Sequence, residues 1–232
     1  APSRGLGDVY KRQVHGMNIK RGVSLLLPAI LILCACFSAC GEPKAGFRTA
    51  AEKYLAFLGK TREEVLTGLK LAEGDLSPDS TDICAVLDSN EQFCGQKFST
   101  QLFFDSTDPE TGETTDAPLL VSVKFLHSSP EPGPQEYELA NAAYAGIKAE
   151  YGDPEPLAVQ DGNEHFQSLE RLEELKEGPS VSRCVDSWAD TGHKGMEAVL
   201  SAELIPNSML SGPEDGSTFI LSLWFRWKPK LP

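Results

Sequence analysis

The chain has 232 residues and carries 21 Lys and Arg against 34 Asp and Glu, for a formal net charge of −13 and an isoelectric point near 4.8. Its length holds one medium domain or two small ones, and 41% apolar with 24% charged residues is globular composition rather than disorder. So acidic a chain lacks the basic stripe that grips a phosphate backbone, which excludes nucleic-acid binding of that kind; Gly and Pro without a period exclude collagen-like and low-complexity architectures.

The first organised segment begins at Met17. Lys20 and Arg21 form a short basic start, Val23 to Phe37 is an apolar run, and Ser38, Ala39 and Cys40 close it before polar Gly41-Glu42-Pro43-Lys44. Basic start, apolar core and small closing residues are the three parts of a secretory signal. The run is shorter than the roughly 20 residues a membrane-spanning helix needs. Phe37-Ser38-Ala39-Cys40 resembles the lipobox of bacterial lipoproteins, with Phe37 where Leu is usual, and Leu33-Cys34-Ala35-Cys36 is a competing frame. The resemblance implies a diacylglycerol thioether on Cys40 and a membrane anchor through it, because the polar tether starts directly after that cysteine. An ordinary cleaved signal without lipid is the alternative. Residues 1–16 make no sense in front of a signal and read as an artefactual leader, 17–39 as the signal peptide and 40–46 as the tether. Without residues 1–39 the chain keeps sixteen basic and thirty-three acidic residues, a charge that holds a tethered domain off anionic lipid.

Beyond the tether, Phe47, Ala51, Tyr54, Leu55 and Leu58 fall at helical spacing, with Gly59 as a stop. Thr61-Arg62-Glu63-Glu64 is a capping box opening a second helix that carries Val65, Leu66 and Leu69. Three strand-like runs follow: Ile83 to Asp88, closed by Ser89-Asn90; the alternation Phe98, Thr100, Leu102, Phe104; and the alternation Leu119, Val121, Val123, Phe125. Period two with one apolar face predicts a sheet covered on one side. Residues 129–134 are Pro-rich and read as a linker. Tyr137, Ala140, Tyr144, Ile147 and Tyr151 form the next helical stripe, and Asn163 is placed to cap a helix carrying Phe166, Leu169, Leu172 and Leu175. Val181 to Asp190, Ala198 to Leu204, and Phe219 to Trp227 close the chain as strands.

The order helix, helix, strand, strand, strand thus occurs twice, with comparable points about 100 residues apart. The expectation is an α+β fold of two tandem helix-helix-three-strand units, 47–128 and 135–232, with antiparallel sheets covered by helices on one face. Gly59-Lys60-Thr61-Arg62-Glu63-Glu64-Val65-Leu66 resembles the Gly-x-Thr-x-x-Glu-Val opening of the β-lactamase-inhibitor-protein-like fold, whose units also occur in outer-membrane-assembly lipoproteins. That resemblance implies sheets that present a surface to a protein partner.

Catalytic patterns are missing from the sequence. Gly59-Lys60-Thr61 follows a helix and Tyr54 stands where a phosphate loop needs its first glycine. His127, His165 and His193 fall in no zinc-binding spacing, and there is no Gly-x-Ser-x-Gly elbow. Asp105, Asp108, Glu110 and Asp116 crowd one loop without calcium-loop spacing. No metal or cofactor is expected. Cys84 and Cys94 flank the turn expected at Ser89-Asn90 and form a possible disulfide, with all thiols reduced as the alternative. Phe103, Ile220 and Trp224 fall out of phase with the apolar alternation, beside Arg226, Lys97, Gln101, Lys124 and Ser222. Aromatics among polar neighbours on a sheet face are an interface composition. Phe103, Ile220, Trp224 and Arg226 are therefore the candidate binding surface, and the expected role is protein binding in the cell envelope, from the outer face of the cytoplasmic membrane or from the outer membrane. The alternative is a ligand-binding protein or enzyme whose site is assembled from scattered polar residues, around His127 and the acidic loop.

Overall fold

The computed structural model describes residues 46–130, 132–155, 163–166, 181–210 and 215–228. Cys40, the signal segment, the leader and the helix expected through Leu169, Leu172 and Leu175 lie outside the described residues. Three helices and seven strands are present among those described: α1 (Phe47–Leu55), α2 (Arg62–Leu69), β1 (Cys84–Phe93), β2 (Gln96–Thr107), β3 (Thr114–Ser129), α3 (Pro134–Tyr151), β4 (Asn163–Glu164), β5 (Ser182–Trp188), β6 (Met196–Pro206) and β7 (Ser217–Trp227).

The strands make one sheet in the order β1-β2-β3-β7-β6-β5-β4. Antiparallel pairing of β1, β2 and β3 gives one meander, and of β5, β6 and β7 another. The last strands of the two meanders pair with each other, Val123 opposite Phe225 through Ser129 opposite Phe219. The sheet is therefore continuous, a point that the sequence leaves open between joined and separate sheets. β3 runs through Ser129 and α3 starts at Pro134, so the two end residues of the expected linker belong to flanking elements.

One face of this sheet carries the core. Phe98, Leu102, Val123, Phe125, Leu223, Phe225, Leu200 and Ala202 are all buried on it, together with Phe47, Ala51, Tyr54, Val65, Ala140 and Ile147 from the three helices. The helical residues recur at i, i+3, i+4 and i+7, the spacing of an apolar stripe. Phe125 sits at the junction of the meanders, its ring 5.1 Å from that of Phe93, 6.1 Å from Tyr54 and 6.3 Å from Phe225. The Thr61 capping box forms as the sequence predicts: Thr61 Oγ1 accepts from the Glu64 backbone N–H and the Glu64 carboxylate accepts from the Thr61 N–H at 2.9 Å.

Three expectations are corrected. β1 does not end at Ser89-Asn90; its pairing shifts between Leu87 and Glu91 and resumes to Phe93, and the turn is Cys94-Gly95, both at positive φ. A bulge absorbs the polar residues without ending the strand. Cys84 and Cys94 thus stand at opposite ends of a ten-residue strand, about 30 Å of extended chain apart, far beyond disulfide reach, and are not bridged to each other. Asn163 caps no helix among the described residues: with Glu164 it forms β4, pairing parallel to Arg183 and Cys184 of β5.

Phe125 joins both halves of the core, so truncating it tests whether they fold together. Phe125→Ala is expected to cost about 3–5 kcal/mol. Urea titrations read by circular dichroism and by tryptophan fluorescence should stay coincident; two separated transitions would contradict a shared core.

Candidate functional site

The three described helices all pack on the core face, which leaves the opposite face of the sheet without a helical cover among the described residues. Strand alternation fixes what this open face presents. β2 contributes Lys97, Ser99, Gln101 and Phe103; β3 contributes Ser122, Lys124, Leu126 and Ser128; β7 contributes Ile220, Ser222, Trp224 and Arg226. β6 follows with Glu197, Val199, Ser201 and Glu203, and β5 with Arg183 and Val185. All four residues singled out in the sequence, Phe103, Ile220, Trp224 and Arg226, fall on this one face and are half-buried.

The centre of the face is Trp224. Phe103 on β2 meets it across β3, with ring centroids 6.0 Å apart at 44°. Phe103 is paired with Ser122, a small buried residue over which the two large rings can meet. Two cations stack on the indole: the Arg226 guanidinium at 5.0 Å from the ring centroid and the Lys124 ammonium at 5.6 Å. Cations over an indole are drawn to its π-face, more strongly where water is partly excluded.

These cations differ in their partners. Arg226 donates from Nε to Glu197 at 2.9 Å, and that carboxylate is 7% exposed. Arg183 donates to Glu203 at 2.9 Å, and Glu203 also accepts from Ser201, whose hydroxyl lies 2.9 Å from that of Ser222. Lys124 has no carboxylate at ion-pair distance among the described residues; its recorded contact is the Trp224 ring. Burial pushes the Lys124 ammonium below the ordinary lysine range, the nearby Glu203 working against this and Arg183 with it. Two donors of the same face are also orphaned: Trp224 Nε1 and Arg183 Nε are buried without an acceptor. Toward β1 the face opens into a depression of about 870 Å³ whose lining includes Cys84, Gln101, Phe103 and Leu126, with Asp79 and Asp88 at the strand edge.

The remaining residues from the sequence reading lie elsewhere, except that His127 also borders this depression. His127 is at the rim of the core face, its Nδ1 3.0 Å from the Lys97 carbonyl and its ring 5.5 Å from Phe98. His193 places Nε2 3.0 Å from Glu52 of α1. In the acidic loop, Asp108 Oδ1 accepts from the backbone N–H groups of Glu110 and Thr111, and Asp105 from Thr107. These are turn-forming bonds. The loop does not gather around His127: Asp108 and Glu110 instead face His193 and Lys194 over a recess of about 250 Å³ floored by Leu58, Met196 and Trp227.

One hydrogen-bonded pair around a buried carboxyl was missed from sequence. Asp186, fully buried on the core face of β5, has Oδ1 2.8 Å from His165 Nδ1 and accepts the Phe166 N–H on Oδ2 at 3.0 Å. Burial raises the Asp186 pKa, and the bonds from His165 and Phe166 work against the rise. The alternation Cys184, Asp186, Trp188 places a charged residue among inward-facing positions, and that was the available signal. Cys184 is buried beside it and burial pushes its thiol far above the usual range, so it is no thiolate nucleophile. The pair fastens β4 and the segment behind it to β5.

Asp186→Ala is expected to cost about 3 kcal/mol in urea unfolding, since it leaves a part-buried imidazole and a buried backbone donor without their acceptor. The raised pKa means that the folded chain holds this proton at a pH where the unfolded chain has lost it. The contribution of Asp186 to stability therefore falls as pH rises from the ordinary carboxylate range through the raised one. Asp186→Asn should flatten that slope, read as melting temperature against pH; an unchanged slope would contradict the assignment. In comparisons with family models, with curated proteins and with solved structures, nothing matches this chain.

Proposed function

We propose that this chain is a cell-envelope lipoprotein, anchored through a lipid on Cys40, whose open sheet face binds a protein partner. The observation that carries the reading is the Phe103–Trp224 pair, flanked by Lys124 and Arg226, on a face that no described helix covers. Aromatic and arginine side chains ringed by polar groups are the usual composition of an interface centre. In this reading the two meanders are the sheets of two similar units joined edge to edge at β3 and β7, as their order in the chain suggests, and the face spans both. The lipobox supports an address outside the cytoplasm, at the outer face of the cytoplasmic membrane or at the outer membrane, and the bound role is mechanical recognition without catalysis.

A second reading rests on the recess between the β2–β3 loop and the β5–β6 loop. There Trp227 Nε1 is a buried donor without an acceptor, next to the Asp108, Glu110, His193 and Lys194 rim. Such a recess suits a small polar ligand, in keeping with a ligand-binding role assembled from scattered residues.

Photo-crosslinking from position 128, an exposed residue of this face, in cells making the full chain tests the main reading. Trp224→Ala should reduce the crosslinked adduct at least about tenfold while leaving the melting temperature within a few degrees, because a half-buried interface aromatic outweighs its contribution to the fold. Cys40→Ala should release the protein from the membrane fraction. An adduct indifferent to Trp224 and Phe103 would count against the face, and a membrane-bound Cys40→Ala protein against the anchor.

A further inference from the structure

We infer, on the basis of the binding reading above, that the open face takes an acidic peptide segment of a partner protein, one carboxylate docking on Lys124 and an adjoining apolar side chain packing on Phe103 and Trp224.

The charges of the face select this occupant. Arg226 and Arg183 are each satisfied by a carboxylate at 2.9 Å, on Glu197 and Glu203. Lys124 is flanked in its row of the sheet by Gln101 and Trp224, its ammonium lies against the indole ring, and among the described residues no carboxylate stands at ion-pair distance from it, Glu203 acting only from farther away. A half-buried ammonium with no counter-charge is costly to hold, and a carboxylate brought by a partner removes that cost. The two orphaned donors, Trp224 Nε1 and Arg183 Nε, point the same way. Neither donor meets the acceptors that the face does carry on Glu197, Glu203 and its serines, so oxygens brought by a partner satisfy them, whether as carboxylates or peptide carbonyls, once the covering side chains shift.

Long-range charge agrees. The chain as a whole is at −13, and an acidic segment is repelled by most of its surface. On the open face between β2 and β5, Lys97, Lys124, Arg183 and Arg226 stand against Glu197 and Glu203, with Asp79 and Asp88 only at the β1 edge. An acidic partner is therefore steered to this face by exclusion from the rest as well as by attraction.

A carboxylate fits better than a phosphate polymer. A phosphate chain needs several uncompensated cations in register, and here Glu197 and Glu203 already occupy two of the nearest guanidinium groups. One open ammonium beside two aromatic rings, with Leu126 and Ile220 nearby, matches one carboxylate next to an apolar side chain.

The test pans a displayed library of random peptides on the immobilised full chain. Enriched sequences should carry Asp or Glu beside an apolar residue. The best of them, synthesised, should bind Lys124→Met at least about tenfold more weakly and Lys124→Arg within a fewfold of the natural chain, and should weaken with salt. Replacing the Glu of that peptide with Gln reads the same contact from the other side, so the result stands even where Lys124→Met does not fold. Neutral or basic peptides, an acidic peptide bound equally by Lys124→Met, or its displacement by inorganic polyphosphate through Lys124 would each overturn the inference. Neutral peptides lost on Trp224→Ala would leave the binding reading standing. No enrichment at all would take both down.

Discussion

The pairing of β3 with β7 is the constraint on which this molecule depends. Each meander alone is a three-stranded sheet with two open edges, and a sheet of that size holds its shape only when packed on something. Joining their last strands removes one exposed edge from each. It also brings Phe125 and Val123 against Leu223 and Phe225 at the centre of one core, which neither half could bury unaided. Because the helices from both halves then lie on the same side, the other side becomes a single broad face. The proposed binding surface is a by-product of that junction: Phe103 belongs to one meander, Trp224 to the other, and they meet over β3.

The face is built differently from the core. Behind the sheet, inward positions are filled by Phe, Leu and Ala, with the charged exception at Asp186 fully bonded. In front, small hydroxyl residues at Ser122, Ser201 and Ser222 sit low and buried, while long or aromatic side chains rise around them. Serines at those positions let neighbours lean across strands, which is how Phe103 reaches Trp224 and how Glu203 gathers both Ser201 and Arg183. A surface merely kept soluble would show exposed charges with little order. Here the guanidinium groups are fixed by carboxylates, so the geometry around the indole is held before any partner arrives.

Much of this was legible in the sequence, for a definite reason. In β2, β3 and β7 strict alternation assigns every side chain to a face, and a residue out of phase must lie on the other one. Phe103, Ile220, Trp224 and Arg226 could therefore be placed together before any coordinates. What failed were the places where chemistry is local but the decision is distant. Ser89-Asn90 carries the composition of a turn, yet pairing with β2 carries the strand past it to Phe93. Asn163 has the composition of a helix cap, yet it is drawn into the sheet beside β5, where Asp186 holds the next two residues of the chain. The union of the meanders was equally invisible, since β3 and β7 are separated by most of the second half and no local pattern marks an edge as destined for a particular partner.

Lys124 shows how a cost can be more informative than a favourable contact. An inert half-buried position on a central strand is served well by an uncharged residue: a methionine or threonine would pack beside Trp224 without paying to desolvate an ammonium. The same argument does not apply to Arg226 or Arg183, whose carboxylate partners justify them within the chain itself. It does not apply to Lys97 either, which is exposed at the strand end and fully hydrated. At Lys124 the folded chain bears a desolvation cost that no carboxylate at ion-pair distance among its described residues offsets. Residues of this kind cluster where a protein is completed by something else. The unpaired ammonium, the unbonded indole N–H and the paired rings lie within one patch of a few strands, and a single acidic, partly apolar segment answers all of them at once.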